Sequence, residues 1–139
     1  MKGSLFLKVA LLLASPILLI LSLIIFWRGH HLPGGGFIGG LVASCAFVLQ
    51  EFAETERVGL KLGRLEAKPH FVILIGLAIA TASAFIGVLL GADFMKGIWF
   101  TLPVIGKIGT PVLFDFGVYL VVIGMVTSVL LPLIQQEKN

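Results

Sequence analysis

Four long apolar stretches determine the kind of fold that this chain can adopt. They cover residues 5–27, 33–53, 71–91 and 111–134, and as α-helices each is long enough to cross the roughly 30 Å hydrocarbon core of a bilayer. Hydrophobic residues make up 58% of the 139 residues and charged residues only 12%, a composition far too apolar for an ordinary water-soluble domain. We therefore predict an all-α integral membrane protein, a single transmembrane domain (residues 1–139) with four transmembrane helices.

The basic residues of the connecting segments predict the orientation of these helices. With four spans, both termini and residues 54–70 lie on one side of the membrane, and the connections after helices one and three lie on the other. Seven Lys and Arg residues belong to the first side and three to the second: Lys2, Lys8, Arg57, Lys61, Arg64, Lys68 and Lys138, against Arg28, Lys96 and Lys107. The positive-inside rule then places the N-terminus and the C-terminus in the cytoplasm. Because these charges form no stripe across a domain, no nucleic-acid partner is expected.

The sequence GHHLPGGGFIGG, residues 29–40, connects the first two helices. Pro33 suits the first turn of the second helix, because its missing N–H would have no helical partner there. Glycines four residues apart allow another backbone to approach closely. The residues assigned to this packing face are Gly34, Gly35, Gly36, Gly39 and Gly40. Two interpretations remain open: the glycines serve packing alone, or the open backbone also lines an ion or water path.

Asp115 is the most informative charge in the apolar stretches. It lies about one turn into the fourth helix, and Tyr119 follows one turn later on the same face. A carboxylate at this depth is costly and usually faces a protein interior or an aqueous cavity. It is either an acid stabilised by the helix N-terminal dipole and a hydrogen bond to a neighbouring helix, or a relay for cations or protons.

The other titratable residues lie at the ends of the predicted helices. Glu51, at the inner end of helix two, is either a solvated boundary charge or part of an ion entry. His30 and His31 are either simple interfacial side chains or proton relays at the outer surface. Since His70 lies on the opposite side, a haem held by two histidines of this chain is disfavoured. Cys45 is the single cysteine, so neither a disulfide framework nor a Cys-rich metal site can form from this chain alone. We expect no metal and no cofactor.

Two connections differ in character. Residues 54–70 are strongly polar and allow a short interfacial helix. Residues 92–110 contain Phe94 and Trp99, which suit the headgroup zone, together with glycines and Pro103, which oppose a spanning helix. We predict an interfacial or re-entrant loop between helices three and four.

Two long motifs, RGHHLPGGGFIGGL at residues 28–41 and GTPVLFDFGVYLVVIGM at residues 109–125, closely resemble the MrpB (also called MnhB) family of subunits in the multisubunit Mrp-type sodium/proton antiporters. The resemblance implies an accessory transporter subunit, not an enzyme, in the bacterial inner (cell) membrane. Its partners would be the other antiporter subunits, including large subunits similar to those of respiratory complex I. The complex would exchange cytoplasmic Na⁺ for external H⁺ and support pH and salt homeostasis. The resemblance marks Pro33, Phe37 and Asp115 as candidate functional positions.

Several functions remain in competition at this stage. The first is a transporter subunit whose Asp115 and PGGGF segment contribute to ion passage or gating. The second is a purely structural assembly subunit, with the glycine face as a docking surface. A third is the homologous subunit of an Mrp-like module in a membrane-bound hydrogenase or respiratory complex. A redox enzyme that binds haem or quinone is the least favoured.

Overall fold

A computed structural model describes residues 2–29, 34–53, 68–91, 93, 97–102 and 106–137. Within these residues the chain forms four helices and one pair of strands. In chain order they are α1 (Lys2–Arg28), α2 (Gly35–Ala53), α3 (Pro69–Leu89), β1 (Trp99–Leu102), β2 (Gly106–Gly109) and α4 (Thr110–Glu137). The four apolar stretches are therefore helical, as the sequence predicts. The short interfacial helix expected within residues 54–70 falls mainly outside the described residues.

Two helix starts differ from the predicted positions by two residues. α3 begins at Pro69 instead of residue 71, because the fixed φ of proline suits the first helical position. α2 begins at Gly35, and Pro33, which the sequence predicts for its first turn, lies outside the described residues. Gly35 has φ +86°, a left-handed value that a right-handed helix cannot continue through. The glycine therefore fixes the start of α2.

The connection between α3 and α4, predicted as a loop, adds a short pair of strands to the all-α fold. β1 and β2 form an antiparallel hairpin in which Trp99 pairs with Gly109 and Leu102 with Gly106. The backbone N–H of Thr110 donates to the carbonyl of Ile98 (3.0 Å), and the N–H of Ile98 donates to Thr110 Oγ1 (3.1 Å). The hairpin is thus joined to the first residue of α4. The glycines and Pro103 of this connection favour a loop. Trp99 and Phe100 of β1, by contrast, are of residue types that are common in strands.

The helices pack in the spatial order α1, α2, α4, α3. α3 and α4 approach at small residues: a Cβ atom at Gly76 would lie 2.7 Å from the carbonyl oxygen of Gly117, and one at Gly117 would lie 2.6 Å from the N atom of Ala80. On the other side of α4, Ala43, Tyr119 and Ile123 form the buried cluster between α2 and α4. Close backbone contact is how helices associate when lipid already solvates their apolar side chains.

The surface of the described residues is apolar and much of the polar content is inside. Ser15, Ser22, Ser44, Ser83 and Thr127 are buried, whereas large aliphatic and aromatic side chains on all four helices are exposed. Two helical segments, Pro69–Leu89 and Thr110–Ile134, are long and apolar enough to cross a membrane, and shorter apolar segments occupy Leu13–Arg28 and Gly35–Glu51. An apolar exterior of this extent fits a bilayer and opposes free solubility in water.

Candidate functional site

Asp115 lies where the second turn of α4 meets the start of α2. Its side chain is half-buried, and a Cβ atom at Gly35 would come within 2.9 Å of Asp115 Oδ2. Any side chain at Gly35 would therefore force the carboxylate to shift, besides being strained at φ +86°. The two residues meet because α2 starts with a glycine.

The next glycines of α2 bring its backbone against α4. A Cβ atom at Gly36 would collide with the carbonyl oxygen of Asp115 and lie 3.1 Å from the N atom of Tyr119. At Gly40, a Cβ atom would lie 2.9 Å from both the carbonyl oxygen of Tyr119 and the Cβ of Val122. Gly36 and Gly40 are buried by these contacts. This face is therefore used for packing within the chain.

The remaining two glycines of the segment face α1. A Cβ atom at Gly39 would lie 3.1 Å from the carbonyl oxygen of Ser22, and one at Gly34 would lie 2.9 Å from the carbonyl oxygen of Ile25. Glycines of one short segment thus contact helices on two sides. This arrangement lets α1, α2 and α4 meet beside Asp115.

A buried hydrogen-bond network joins the same three helices. Ser22 Oγ on α1 donates to the carbonyl of Gly39 on α2 (2.8 Å) and lies 2.8 Å from the hydroxyl of Tyr119 on α4. Since the single hydroxyl hydrogen of Ser22 goes to Gly39, Tyr119 donates to Ser22. Tyr119 is only 8% exposed, and the ring of Phe26 packs edge-on against it at a centroid distance of 5.4 Å. The network fixes the rotation of α4, and with it the position of Asp115 one turn away.

The hydrogen bond between Ser22 and Tyr119 is testable by a double-mutant cycle. We expect Tyr119→Phe and Ser22→Ala each to lower the thermal stability of the detergent-solubilised complex. The coupling energy should be about 0.6 kcal/mol, the usual value for a hydrogen bond between membrane helices. Thermal unfolding monitored on the solubilised complex measures it. Strictly additive single effects would show that the two hydroxyls do not interact.

A cavity of about 320 Å³ opens beside Asp115. Its walls come from the end of α1 at Gly29, from Ser83 on α3, from Trp99 of the hairpin and from Thr110 at the start of α4. Residues flanking the first and third connections thus meet at one end of the helices. The arrangement gives a carboxylate access to a space large enough for several water molecules.

The structure places the other candidate residues apart from this cavity. Phe37 is 58% exposed and points away from the junction. Glu51 is half-buried near the opposite end of α2, about 24 Å along the helix axis from Gly35. His30 and Pro33 lie outside the described residues. Of the candidates, Asp115, Tyr119 and the glycines are brought together.

Several contributing residues escaped the sequence analysis. Ser22 and Ser83 are isolated polar residues within apolar stretches of the sequence, and only the structure shows that both are buried. The contact at Gly76 and Ala80 could have been predicted, because small residues four positions apart mark a close contact between helices. The partner on α4, Gly117, lies at the matching level of the adjacent helix.

Comparison with known proteins now identifies the family. Residues 6–128, most of the chain, match a family model described as a domain related to the MnhB subunit of Na⁺/H⁺ antiporters. The chain belongs to the MnhB family. The matched region includes both the glycine segment and Asp115, so the junction described above lies within the MnhB domain.

Two curated relatives agree with this MnhB assignment. The B subunit of a Na(+)/H(+) antiporter from Bacillus subtilis (strain 168) is 35% identical over 141 residues, which cover 97% of this chain and 96% of the relative. The antiporter subunit mnhB2 of Staphylococcus aureus (strain Newman) is 36% identical over 125 residues, 84% of either chain. These are similarities along whole subunits.

A solved structure shows the same MnhB fold. A chain in the structure of the Mrp complex from Dietzia sp. DQ12-45-1b superposes with a TM-score of 0.70 and 26% sequence identity, over 91% of this chain. The match covers only 14% of that chain. The region similar to this MnhB chain is thus a small part of a much longer polypeptide there.

Proposed function

We propose that this chain is the MnhB (MrpB) component of a multisubunit Mrp-type Na⁺/H⁺ antiporter, an accessory transporter subunit required for Na⁺ efflux in exchange for H⁺ uptake. The observation that carries the proposal is its similarity to the B subunit of a Na(+)/H(+) antiporter over 97% of this chain and 96% of that relative. Similarity over one domain alone would leave the rest of the protein without an assigned function, whereas here the similarity covers almost all of both chains. In this role the chain supports pH and salt homeostasis.

The proposed topology is a single transmembrane domain that crosses the bacterial cell membrane four times, with both termini in the cytoplasm. Its support is the cavity that Gly29, Trp99 and Asp115 share. The first and third connections then lie on one side of the membrane, as four spans require. The excess of Lys and Arg on the other side favours a cytoplasmic position for that side.

The proposed partners are the other antiporter subunits, among them large subunits similar to those of complex I, and the transported ions of the assembly are Na⁺ and H⁺. The likeness to a small part of a long chain in an Mrp complex supports a large neighbour. Packing in the antiporter would cover part of the apolar exterior, and lipid would cover the rest.

Within this function, Asp115 and the surrounding glycines contribute to ion passage. The support is a half-buried carboxylate that lines a cavity. The second candidate is a purely structural subunit. Because Gly36 and Gly40 are occupied by contacts with α4, docking would then use outward residues such as Phe37, which is 58% exposed.

Co-purification combined with a deletion tests the proposed function. A tagged form of this chain is extracted in mild detergent. We expect two large complex-I-like subunits to co-purify with it, without hydrogenase proteins. Membrane vesicles from cells that lack the chain should lose Na⁺/H⁺ exchange, and a plasmid copy should restore it. Co-purified hydrogenase subunits would assign the chain to a hydrogenase-type complex. Undiminished exchange in the deletion strain would refute a required role in the antiporter.

A further inference from the structure

The cavity beside Asp115 has the properties of a cation site. It encloses about 320 Å³, and among the described residues its polar lining comes from Asp115, Ser83 and Thr110. Trp99 and Phe114 supply apolar walls. Oxygen atoms and one carboxylate therefore face a space bounded by helices and the hairpin.

Among the described residues, the ionisable lining of the cavity is acidic. The N-terminus of α4 carries roughly half a positive charge, spread over its first N–H groups. The N–H of Thr110 already donates to the carbonyl of Ile98, which reduces that contribution. Asp115 is the one ionisable side chain among the lining residues that the structure describes. A described lining with one carboxylate and no basic side chain suits a cation better than an anion.

The small number of oxygen ligands indicates an ion that keeps most of its hydration shell. Ser83 Oγ donates its hydrogen to the carbonyl of Ala80 (2.8 Å), and its oxygen can still accept. In the described part of the chain no group of three or more His, Cys, Asp or Glu residues comes together. Three lining side chains cannot replace a whole hydration shell, whereas a space of this size can hold about ten water molecules.

We infer that this cavity binds a hydrated monovalent cation, held by the carboxylate of Asp115 and by water that Ser83 and Thr110 orient. A single carboxylate balances one positive charge, and a divalent ion would leave an unbalanced charge next to the membrane interior. The inference rests on the proposed function in one respect: in the antiporter the cation is Na⁺. The site then lies on the route of the ion at the side of the membrane reached by the first and third connections.

Charge-selective labelling of a cysteine in the cavity tests the inference without measuring exchange. Ala84 lines the cavity, and Lys68, directly before the other end of α3, is exposed. In the intact complex with Cys45→Ser, Ala84→Cys and Lys68→Cys are each labelled with a cationic and with an anionic methanethiosulfonate, and the mass of the labelled chain is recorded. For Ala84→Cys we expect the cationic-to-anionic rate ratio to fall about ten-fold on adding Asp115→Asn, the effect that one charge has in water on two opposite probes about 6 Å from it. The ratio for Lys68→Cys should not change.

Sodium protection completes the test. We expect Na⁺, compared with choline, to slow cationic labelling of Ala84→Cys several-fold while Asp115 is intact, and to have no effect with Asp115→Asn. A rate ratio that is independent of Asp115, an anionic preference, or no labelling by either reagent would overturn the cation site. Such a result together with loss of exchange in the deletion strain would overturn the cavity site alone and leave the proposed function standing.

Discussion

Gly36→Leu is expected to prevent this subunit from folding and assembling. Even the Cβ atom of the new side chain would collide with the carbonyl oxygen of Asp115, so α2 would have to move away from α4. Overpacking a core costs about 1–3 kcal/mol where flexible side chains can yield, and a backbone carbonyl cannot yield in the same way. We expect the assembled complex to be absent on native electrophoresis of solubilised membranes.

Cys45→Leu is the matched control for Gly36→Leu. Cys45 lies on the same helix and is exposed, so a larger apolar side chain there faces lipid or a partner, and assembly should be near normal. Gly36→Ala should fall between the two variants. The account of α2 packing would be contradicted if Gly36→Leu gave a normally folded subunit that only failed to join its partners. The glycine face would then be a docking surface and not an internal contact.

The four helices were predictable because a bilayer imposes its thickness on the sequence. A run of about twenty apolar residues has few alternatives in lipid, where every backbone polar group needs an internal partner. This reasoning does not apply to the hairpin, because β1 and β2 are only four residues each. Their pairing is stabilised by the bonds between Ile98 and Thr110, which depend on where α4 begins. A glycine-rich and proline-containing segment could equally have been irregular.

The candidate site was predictable in its position at one end of the helices but not in its contacts. Counting spans placed the glycine segment and Asp115 at the same end, because the connections after helices one and three share a side. Which glycine faces which helix depends on the rotation of each helix about its axis. With apolar residues all round the helices, the sequence carries little information about that rotation. For the same reason the bond between Ser22 and Tyr119 could not be foreseen.

Asp115→Asn is expected to reduce Na⁺/H⁺ exchange about ten-fold or more, with the complex still assembled. Asparagine has the size of aspartate, so the contact with Gly35 and the packing of α4 should survive. The substitution removes the charge from the cavity and with it the attraction for a cation. A ten-fold loss corresponds to about 1.4 kcal/mol, well within what one charge contributes in a partly buried site. Native electrophoresis, run in parallel, verifies assembly.

Asp93→Asn is the matched control, because it makes the same chemical change at an exposed acid of the described chain. The decisive measurement is the initial rate of Na⁺-induced proton movement in membrane vesicles, compared among the unaltered complex, Asp115→Asn and Asp93→Asn at equal complex levels. We expect a large loss for Asp115→Asn and an almost unchanged rate for Asp93→Asn. An undiminished rate for Asp115→Asn in an assembled complex would contradict this expectation and leave this chain a structural subunit.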